Sequence, residues 1–194
     1  IVYSEEVVPG DGWWYDFILT LPPLEPSELA SEIVWCYAYY YTYIDPFSSF
    51  TLSAVDLSQL DDLVWAVNNL AQVLISYYGT YASEIHDALY GAEYYYYDCF
   101  IDLYHLAQLI SQFIDNFTID NSAERVMGWT TYFVIAEGHG SGHPNSHGVS
   151  IYRYIFSPVS GLYYTLDFST ATQWDEFINI AWDIPFYSLG TATS

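Results

Sequence analysis

Cysteine and histidine are the residue types in this sequence that could supply a nucleophile and its base. The two cysteines are Cys36 and Cys99, and His139 follows an apolar stretch ending in Glu-Gly-His-Gly. An imidazole within reach of a thiol can generate the nucleophilic thiolate, so His139 is the candidate base for either cysteine. Both cysteines lie in tyrosine-rich stretches predicted to be helical rather than at the end of a strand. The sequence therefore contains the parts of a dyad but no credible catalytic pair.

Histidine is also the commonest metal ligand, and three histidines fall within one glycine-containing loop, at His139, His143 and His147. No carboxylate or cysteine beside them completes a ligand set for a metal. We therefore predict solvated loop histidines and no metal site or cofactor, with bound calcium left open. The spacing of the two cysteines leaves open whether they pair.

Two further positions carry weaker signals. His105 lies in a predicted helix, where a histidine packed in the core or exposed at the surface is more common than a ligand. Asn116-Phe117-Thr118 forms a glycosylation sequon if the chain is exported. Asn116 is accordingly the one predicted modification site.

The charge balance argues against several classes of function. The formal net charge is −22, yet Asp and Glu total only 24 of 194 residues, because the chain has no Lys and only Arg125 and Arg153 as cations. A halophilic protein would normally be enriched in acids as well. Phosphate contacts depend on Lys and Arg, so nucleic-acid binding is disfavoured, and binding to anionic membranes is disfavoured for the same reason. The shortage of cations also removes almost every bond that an Arg- or Lys-specific protease could cut.

The elements that must position these side chains follow from hydrophobic periodicity and turn chemistry. We predict a helix-rich middle with strands near both ends. No internal repeat or flexible linker divides the chain, and no apolar run is long enough to span a bilayer, so residues 1–194 are predicted to form a single domain without a membrane span. The predicted helices cover about 28–44 after Ser27, 59–78 up to Gly79, 81–91, 93–116, a short stretch around Arg125, and a terminal helix after Thr172. The predicted strands cover about 130–138 and 149–156, and residues 50–57 could form a short extended segment.

Four blocks of the sequence carry a resemblance. In chain order they are YSEEVVPGDGWWYDFIL; SELASEIVWCYAYYY; TLSAVDLSQLDDLVWAVNNLA with YDCFIDLYHLAQLI; and HGVSIYRYIF followed by YYTLDFSTATQWDEFI. In order and spacing they resemble the clostripain-like (C11) cysteine peptidases, relatives of caspases and gingipains. The resemblance extends over nearly the whole chain.

This resemblance implies an α/β fold, specifically the C-terminal part of a caspase-like fold. In the family both the catalytic His and the catalytic Cys precede the Ser-Glu-Glu block, so no catalytic residue is expected here. In caspase-like folds His also precedes Cys, which argues against His139 as the base. The chain opens at Ile1 without a signal peptide, which fits a matured C-terminal chain. Its expected partners are an N-terminal peptidase chain that carries His and Cys, and a peptide substrate. The expected location is extracellular or at the cell surface.

The resemblance also implies a substrate pocket near the start of the chain. In the family, the loop after the nucleophile helps to form the pocket for the substrate residue before the cut, which is Arg or Lys. A cationic side chain that loses its water needs a carboxylate partner, and Glu5, Glu6 and Asp11 are the candidates. Trp13 or Trp14 could stack on the aliphatic stem of the substrate side chain. The alternative is an exposed turn with solvated acids.

A second function is compatible with the same sequence. The chain has 22 Tyr, several in runs such as YAYYYTY and YYYY. Tyr combines a large apolar body with a polar tip and suits interfaces. The alternative is thus a catalytically inactive, peptidase-like protein that forms an extracellular tyrosine-rich homo-oligomer or filament. The net charge opposes close self-packing unless ions or low pH neutralise it.

Overall fold

The structure, a computed structural model, describes residues 1–10, 12–47, 49–153 and 161–182. It is an α/β fold with a helix-rich middle, as the sequence predicts. The strands are β1 (Val2–Tyr3), β2 (Thr51–Val55), β3 (Phe100–Asp102), β4 (Val134–His139) and β5 (Ser150–Tyr152). The helices are α1 (Pro26–Tyr39), α2 (Leu60–Gly91), α3 (Leu103–Phe113), α4 (Phe117–Phe133), α5 (Asp167–Ala171) and α6 (Trp174–Trp182). Short 3-10 helices cover Tyr15–Thr20, Leu57–Gln59 and Tyr163–Thr165, and a π-helical turn covers Tyr40–Ile44.

The larger sheet has the strand order β1-β2-β4, and both pairings are antiparallel. β2 is its central strand and is buried throughout, which explains its run of small and apolar residues. β1 pairs with β2 through Val2 opposite Ala54 and Tyr3 opposite Ser53. Among the described residues, β1 has a neighbouring strand on one side only.

Helix α1 covers one face of this sheet through an aromatic cluster. Tyr37 and Tyr41 pack against each other and against Phe50, with ring centroids 4.9 to 5.7 Å apart. The helix lies very close to β4, because a Cβ on Gly138 would be only 2.7 Å from the Ala38 Cβ. Glycine at position 138 therefore permits the helix to approach the strand.

The opposite face of the sheet carries the main core. Helices α2, α3, α4 and α6 pack together there, and Trp174 and Phe177 of α6 are fully buried. The Trp174 indole donates a 2.7 Å hydrogen bond to the Tyr152 carbonyl oxygen, which ties α6 to β5. The sheet is thus the middle layer of a three-layer structure.

Residues 93–102 do not form the first part of a helix, and the predicted helix 93–116 is wrong in that half. Tyr94 forms an isolated bridge with Ile101, and β3 pairs with β5 in a separate two-stranded sheet. The helix begins only at Leu103, because the Asp102 side chain accepts a 2.7 Å hydrogen bond from the His105 backbone and caps α3. Apolar periodicity cannot reveal that cap, since it depends on backbone conformation.

Several other boundaries also differ from the predictions. Glu25, not Ser27, is the N-cap of α1 and forms a capping box with Glu28. The range Leu60–Gly91 of α2 contains non-helical backbone angles at Tyr81, so it consists of two helices joined at a kink, as predicted, with the break two residues after Gly79. A Cβ at Gly79 would meet nothing within 4 Å, so no packing requires glycine there.

The C-terminal predictions have mixed outcomes. The terminal helix after Thr172 is confirmed as α6. The predicted strand 149–156 is shorter, at Ser150–Tyr152, and its residues 154–156 lie outside the described part of the chain. No helix in the described ranges is both long and apolar enough to cross a membrane.

Candidate functional site

The segment that follows β1 is held in place by one side chain of β2. Thr51 Oγ1 accepts hydrogen bonds from the backbone N–H groups of Glu5 and Glu6, both at 3.1 Å. The Ser4 and Thr51 hydroxyl oxygens are also 3.1 Å apart. Because Thr51 is fully buried, these bonds fix the two acids at the carboxyl end of β1.

Glu5 is a partly buried residue whose carboxyl group points into the protein surface beside Ser53. Its Oε1 accepts a 3.1 Å hydrogen bond from the Ser53 hydroxyl. Its Oε2 is buried and has no hydrogen-bond partner among the described residues. Burial, with a smaller contribution from the charge of Asp102, raises the Glu5 pKa to about 7, although bonds from Thr51 and Ser53 oppose the rise.

This raised pKa predicts how stability depends on pH. The folded state binds the Glu5 proton more tightly than the unfolded chain, whose pKa is near 4.5. The stability from this group is present below that value and is lost as pH rises to about 7. Glu5→Gln should therefore leave stability almost unchanged at pH 4 and raise it at pH 8, by at most about 3 kcal/mol. Chemical denaturation at both pH values measures the difference, and an equal effect at both would contradict the prediction.

Glu6 is buried and both of its carboxylate oxygens have partners. Oε1 accepts a 2.7 Å hydrogen bond from the Val7 N–H, and Oε2 accepts one of 2.8 Å from the Tyr96 N–H. The same Oε2 lies 3.0 Å from His143 Nε2. On the other side of the imidazole, His143 Nδ1 is 3.3 Å from Glu93 Oε1. The His143 side chain therefore lies between two carboxylates.

Another buried carboxylate, that of Asp102, joins the neighbouring loops. Asp102 is fully buried, and its Oδ2 accepts hydrogen bonds from the Tyr95 hydroxyl at 3.1 Å and the His147 N–H at 2.7 Å. The Tyr95 hydroxyl is also 3.0 Å from Ser146 Oγ. His105 Nδ1 accepts a 2.9 Å bond from the Glu93 N–H, which confirms a packed histidine at that position. The loops at 93–102 and 143–147 are thus fixed to each other.

The predicted loop histidines have different environments from one another. His143 is buried, so the prediction that it is solvated is wrong; its burial depends on Glu6 and Glu93, which are distant in sequence. His147 is partly exposed and stacks on Tyr104. His139 is partly exposed at the end of β4, and its hydrogen bond to Glu137 raises its pKa. Within the described residues, no three His, Cys, Asp or Glu side chains form a group suited to a metal ion.

The cysteines are free and lack the environment of a nucleophile. Cys36 is buried and Cys99 partly buried, and they do not form a disulfide with each other. Burial raises the pKa of each thiol, with nearby acids adding to the rise. An activated cysteine needs the opposite shift, toward the thiolate. Neither thiol is therefore prepared to act as a nucleophile with His139 or with another base.

The turn that follows Glu6 is attached to the aromatic cluster on α1. Trp13 is partly buried, 5.7 Å from Tyr37 and 4.9 Å from Tyr15 between ring centroids. The Tyr41 hydroxyl donates a 2.9 Å hydrogen bond to the Gly12 carbonyl oxygen. Trp14 is exposed. Asp11, the third candidate acid, lies outside the described residues.

Asn116 is the N-cap of α4. Its Oδ1 accepts hydrogen bonds from the N–H groups of Thr118 and Ile119, at 3.0 and 3.2 Å. The next residue, Phe117, is 83% exposed, so the sequon lies at the surface. Glycosylation of Asn116 stays a prediction.

Sequence reasoning finds Glu5 and Glu6 but misses the residues that surround them. Glu93, Tyr95 and His143 carry no motif, because they lie in a predicted helix or a predicted solvated loop, and Asp102 lies in the block YDCFIDLYHLAQLI but has no predicted role. The only signal is a composition detail: carboxylates flank the tyrosine run at Glu93 and Asp98. That detail does not indicate which of them is buried.

The three-layer α/β architecture, with its helix-rich middle, is consistent with the caspase-like class of cysteine peptidases. The sequence profile of the clostripain family (peptidase family C11) matches residues 1–182. The chain belongs to this family, which confirms the resemblance. None of the curated proteins with which it was compared matches the chain.

Proposed function

We propose that this chain is the C-terminal portion of a clostripain-like cysteine endopeptidase that cleaves after Arg or Lys. The observation that carries the proposal is a family match over residues 1–182 in a chain whose two thiols both have raised pKa values. An upstream chain supplies the catalytic His and Cys. This chain completes the sheet and contributes part of the substrate pocket. Its location is extracellular or at the cell surface.

One side of β1 has no strand partner within the described ranges, and this free side supports contact with an upstream portion. The backbone of Ile1 exchanges hydrogen bonds with Val55. In an antiparallel pair the next residue, Val2, directs its backbone N–H and C=O to the other side. A groove of about 420 Å³ lies beside this strand, and its lining includes Ile1, Tyr3, Val55 and Phe133. An added strand would pair with the free side of β1, and its apolar side chains would cover the groove.

The substrate pocket in this proposal uses Asp11 as the carboxylate for the cationic substrate side chain. Glu6 has partners on both oxygens, and the Glu5 oxygens are bonded or buried. In this proposal Glu5 and Glu6 hold the turn in position, and Asp11 contacts the substrate cation. Trp13 forms an apolar wall of the pocket.

The scarcity of cations supports association with an Arg/Lys-specific peptidase. Arg153 is buried, and Arg125 is exposed on α4. A trypsin-like activity would therefore find one exposed Arg in this part of the chain. A chain with so few Arg and Lys residues would resist cleavage by the peptidase of which we propose it is part.

The direct test is activity of the chain together with the upstream segment of its own protein. We expect cleavage of Arg- and Lys-containing reporter peptides, loss of cleavage after thiol alkylation, and no activity from this chain alone. Asp11→Asn should lower kcat/KM for Arg reporters by about 100-fold, whereas the matched Asp16→Asn variant, in the exposed 3-10 helix, should not. Full activity of the Asp11→Asn variant would contradict the assignment of the pocket.

The structural alternative has one observation in its favour. Trp35, Tyr39 and Tyr43 of α1 and the π-helical turn are all more than half exposed, and the Tyr39 and Tyr43 rings are 5.1 Å apart. Such a surface suits self-association. Sedimentation of the purified protein at low and neutral pH tests it: large homopolymers without peptidase activity would favour the alternative.

A further inference from the structure

An exposed tyrosine surface is hydrogen-bonded to the Glu5–Glu6 segment, which precedes the turn of the proposed substrate pocket. We define the tyrosine hairpin as residues Tyr94–Ile101. Tyr94, Tyr96 and Tyr97 are 57, 71 and 63% exposed, whereas Tyr95 between them is buried. Exposed aromatic residues grouped in one short segment mark a binding surface more often than isolated ones do.

The hairpin backbone is held at several points. Tyr95 N–H donates to the Phe100 carbonyl oxygen at 3.2 Å, and Phe100 N–H donates to the Tyr97 carbonyl oxygen at 2.8 Å. The Arg153 guanidinium donates to the Asp98 carbonyl oxygen at 3.0 Å, and its backbone N–H donates to the Cys99 carbonyl oxygen at 2.7 Å. The hairpin therefore presents its rings from a fixed backbone, which lowers the entropy cost of binding.

A direct bond links the hairpin to the segment that leads into the pocket. Glu6 Oε2 accepts the 2.8 Å hydrogen bond from Tyr96 N–H. Glu6 lies three residues before Pro9, where the Pro-Gly-Asp-Gly turn begins. The Tyr96 and Tyr97 rings, whose centroids are 5.1 Å apart in an edge arrangement, are therefore attached to the segment that precedes the pocket turn.

The charge of this surface indicates what binds there. Asp98 is exposed beside Tyr97, no Lys occurs in the sequence, and the Arg153 guanidinium is buried behind the hairpin. Tyrosine faces attract cations within about 6 Å of the ring centroid. An aromatic surface with an exposed carboxylate and no competing exposed cation in the hairpin is complementary to a cationic side chain.

We propose that the tyrosine hairpin is a second binding site for the peptide substrate, which receives a further Arg or Lys side chain outside the residue before the cut. This inference rests on the proposed function, because it takes its ligand from the same peptide. Tyr96 and Tyr97 supply the aromatic faces, and Asp98 supplies the carboxylate. The site selects substrates that have two basic residues close together.

The test measures binding separately from cleavage. Protein containing this chain and its upstream segment is alkylated at its thiols, and fluorescent peptides are titrated by anisotropy. One peptide has a single Arg among Gly, Ala and Ser residues, and a set of others has a second Arg two to four residues away on either side. We expect the best two-Arg peptide to bind about three- to tenfold more tightly than the single-Arg peptide.

Variants separate the hairpin from the pocket. Tyr96→Ala/Tyr97→Ala should remove the two-Arg preference and leave single-Arg affinity unchanged, whereas Tyr96→Phe/Tyr97→Phe should retain the preference, because the phenyl face also attracts cations. Asp11→Asn should weaken both peptides and keep their ratio. Circular dichroism and Tm verify that the alanine variant folds. If only the hairpin variants have an effect, the assignment of the pocket fails and the hairpin site stands.

Three results would overturn the inference. The first is equal binding of single-Arg and two-Arg peptides by the wild-type protein, or no measurable binding of either. The second is an unchanged preference in the Tyr96→Ala/Tyr97→Ala variant. The third is binding of neutral oligosaccharides that this variant abolishes, in the absence of a two-Arg preference, which would identify the hairpin as a carbohydrate surface.

Discussion

Replacing His143 with alanine is expected to lower the free energy of unfolding by about 2–4 kcal/mol, because it leaves a cavity and removes the shared partner of the buried Glu6 carboxylate and the partly buried Glu93 carboxylate. His143 Nε2 is 3.0 Å from Glu6 Oε2, and Nδ1 is 3.3 Å from Glu93 Oε1. The Ser49 hydroxyl oxygen also lies 3.0 Å from His143 Nε2. The truncated site would contain two facing carboxylates and a cavity. Urea denaturation at neutral pH measures the loss.

The matched control is His139→Ala. His139 is partly exposed and its ion-pair partner is Glu137, so its removal should cost less than about 1 kcal/mol. Adding Glu93→Gln to His143→Ala should recover part of the loss, since it removes one of the unpaired charges. Equal effects of the two histidine variants, or a double variant that is less stable by the sum of the single losses, would contradict the role of His143 between the carboxylates.

The second large effect is expected at Arg153. Arg153→Met should lower the free energy of unfolding by about 2–4 kcal/mol, because it removes the donors of buried carbonyl groups. The guanidinium donates to the Leu89 carbonyl oxygen near the end of α2 and to the Asp98 carbonyl oxygen, and it lies 5.4 Å from the Tyr90 ring centroid. Burial lowers the pKa of Arg153, because loss of water destabilises the charged guanidinium.

The other arginine provides a control with the same change in charge. Arg125 is exposed and lies 5.5 Å from the Trp65 ring centroid, so Arg125→Met should cost about 1 kcal/mol or less. Arg153→Lys should be intermediate, because an ammonium keeps the charge but loses the fork of donors. Thermal denaturation of all three variants in one buffer tests the order. A similar Tm for Arg153→Met and the wild-type protein would show that the bonds to α2 and to the tyrosine hairpin contribute little.

The two arginines illustrate what local sequence can and cannot indicate. Their scarcity is visible in the sequence and argues against nucleic-acid binding without any structure. Their different environments are not visible, because both follow ordinary polar or aromatic neighbours. Burial of Arg153 results from its contacts with Leu89 and Asp98, which are 64 and 55 residues away along the chain.

The sequence by itself indicated which classes of function its composition disfavours, and it predicted most of the helices, the central strand β2 and the family. These depend on periodicity, turn chemistry and ordered local blocks, all of which lie within short windows. It also indicated Glu5, Glu6, Asp11 and Trp13 as pocket residues; Glu5 and Glu6 are bonded within the fold, and substrate contact by Asp11 and Trp13 stays a proposal. A repeated apolar stripe on a helix is buried in whatever way the other elements are arranged, so helix predictions from such a stripe do not depend on distant residues.

Only the tertiary structure decided which charged groups are buried and which residues meet. Glu6 contacts the Tyr96 backbone across 90 residues, and Glu93 contacts His143 across 50. The same long-range bonds replaced the first part of a predicted helix with the tyrosine hairpin. The physical reason is that a polar side chain is buried only where distant partners compensate for its lost water, and no local window of sequence contains those partners.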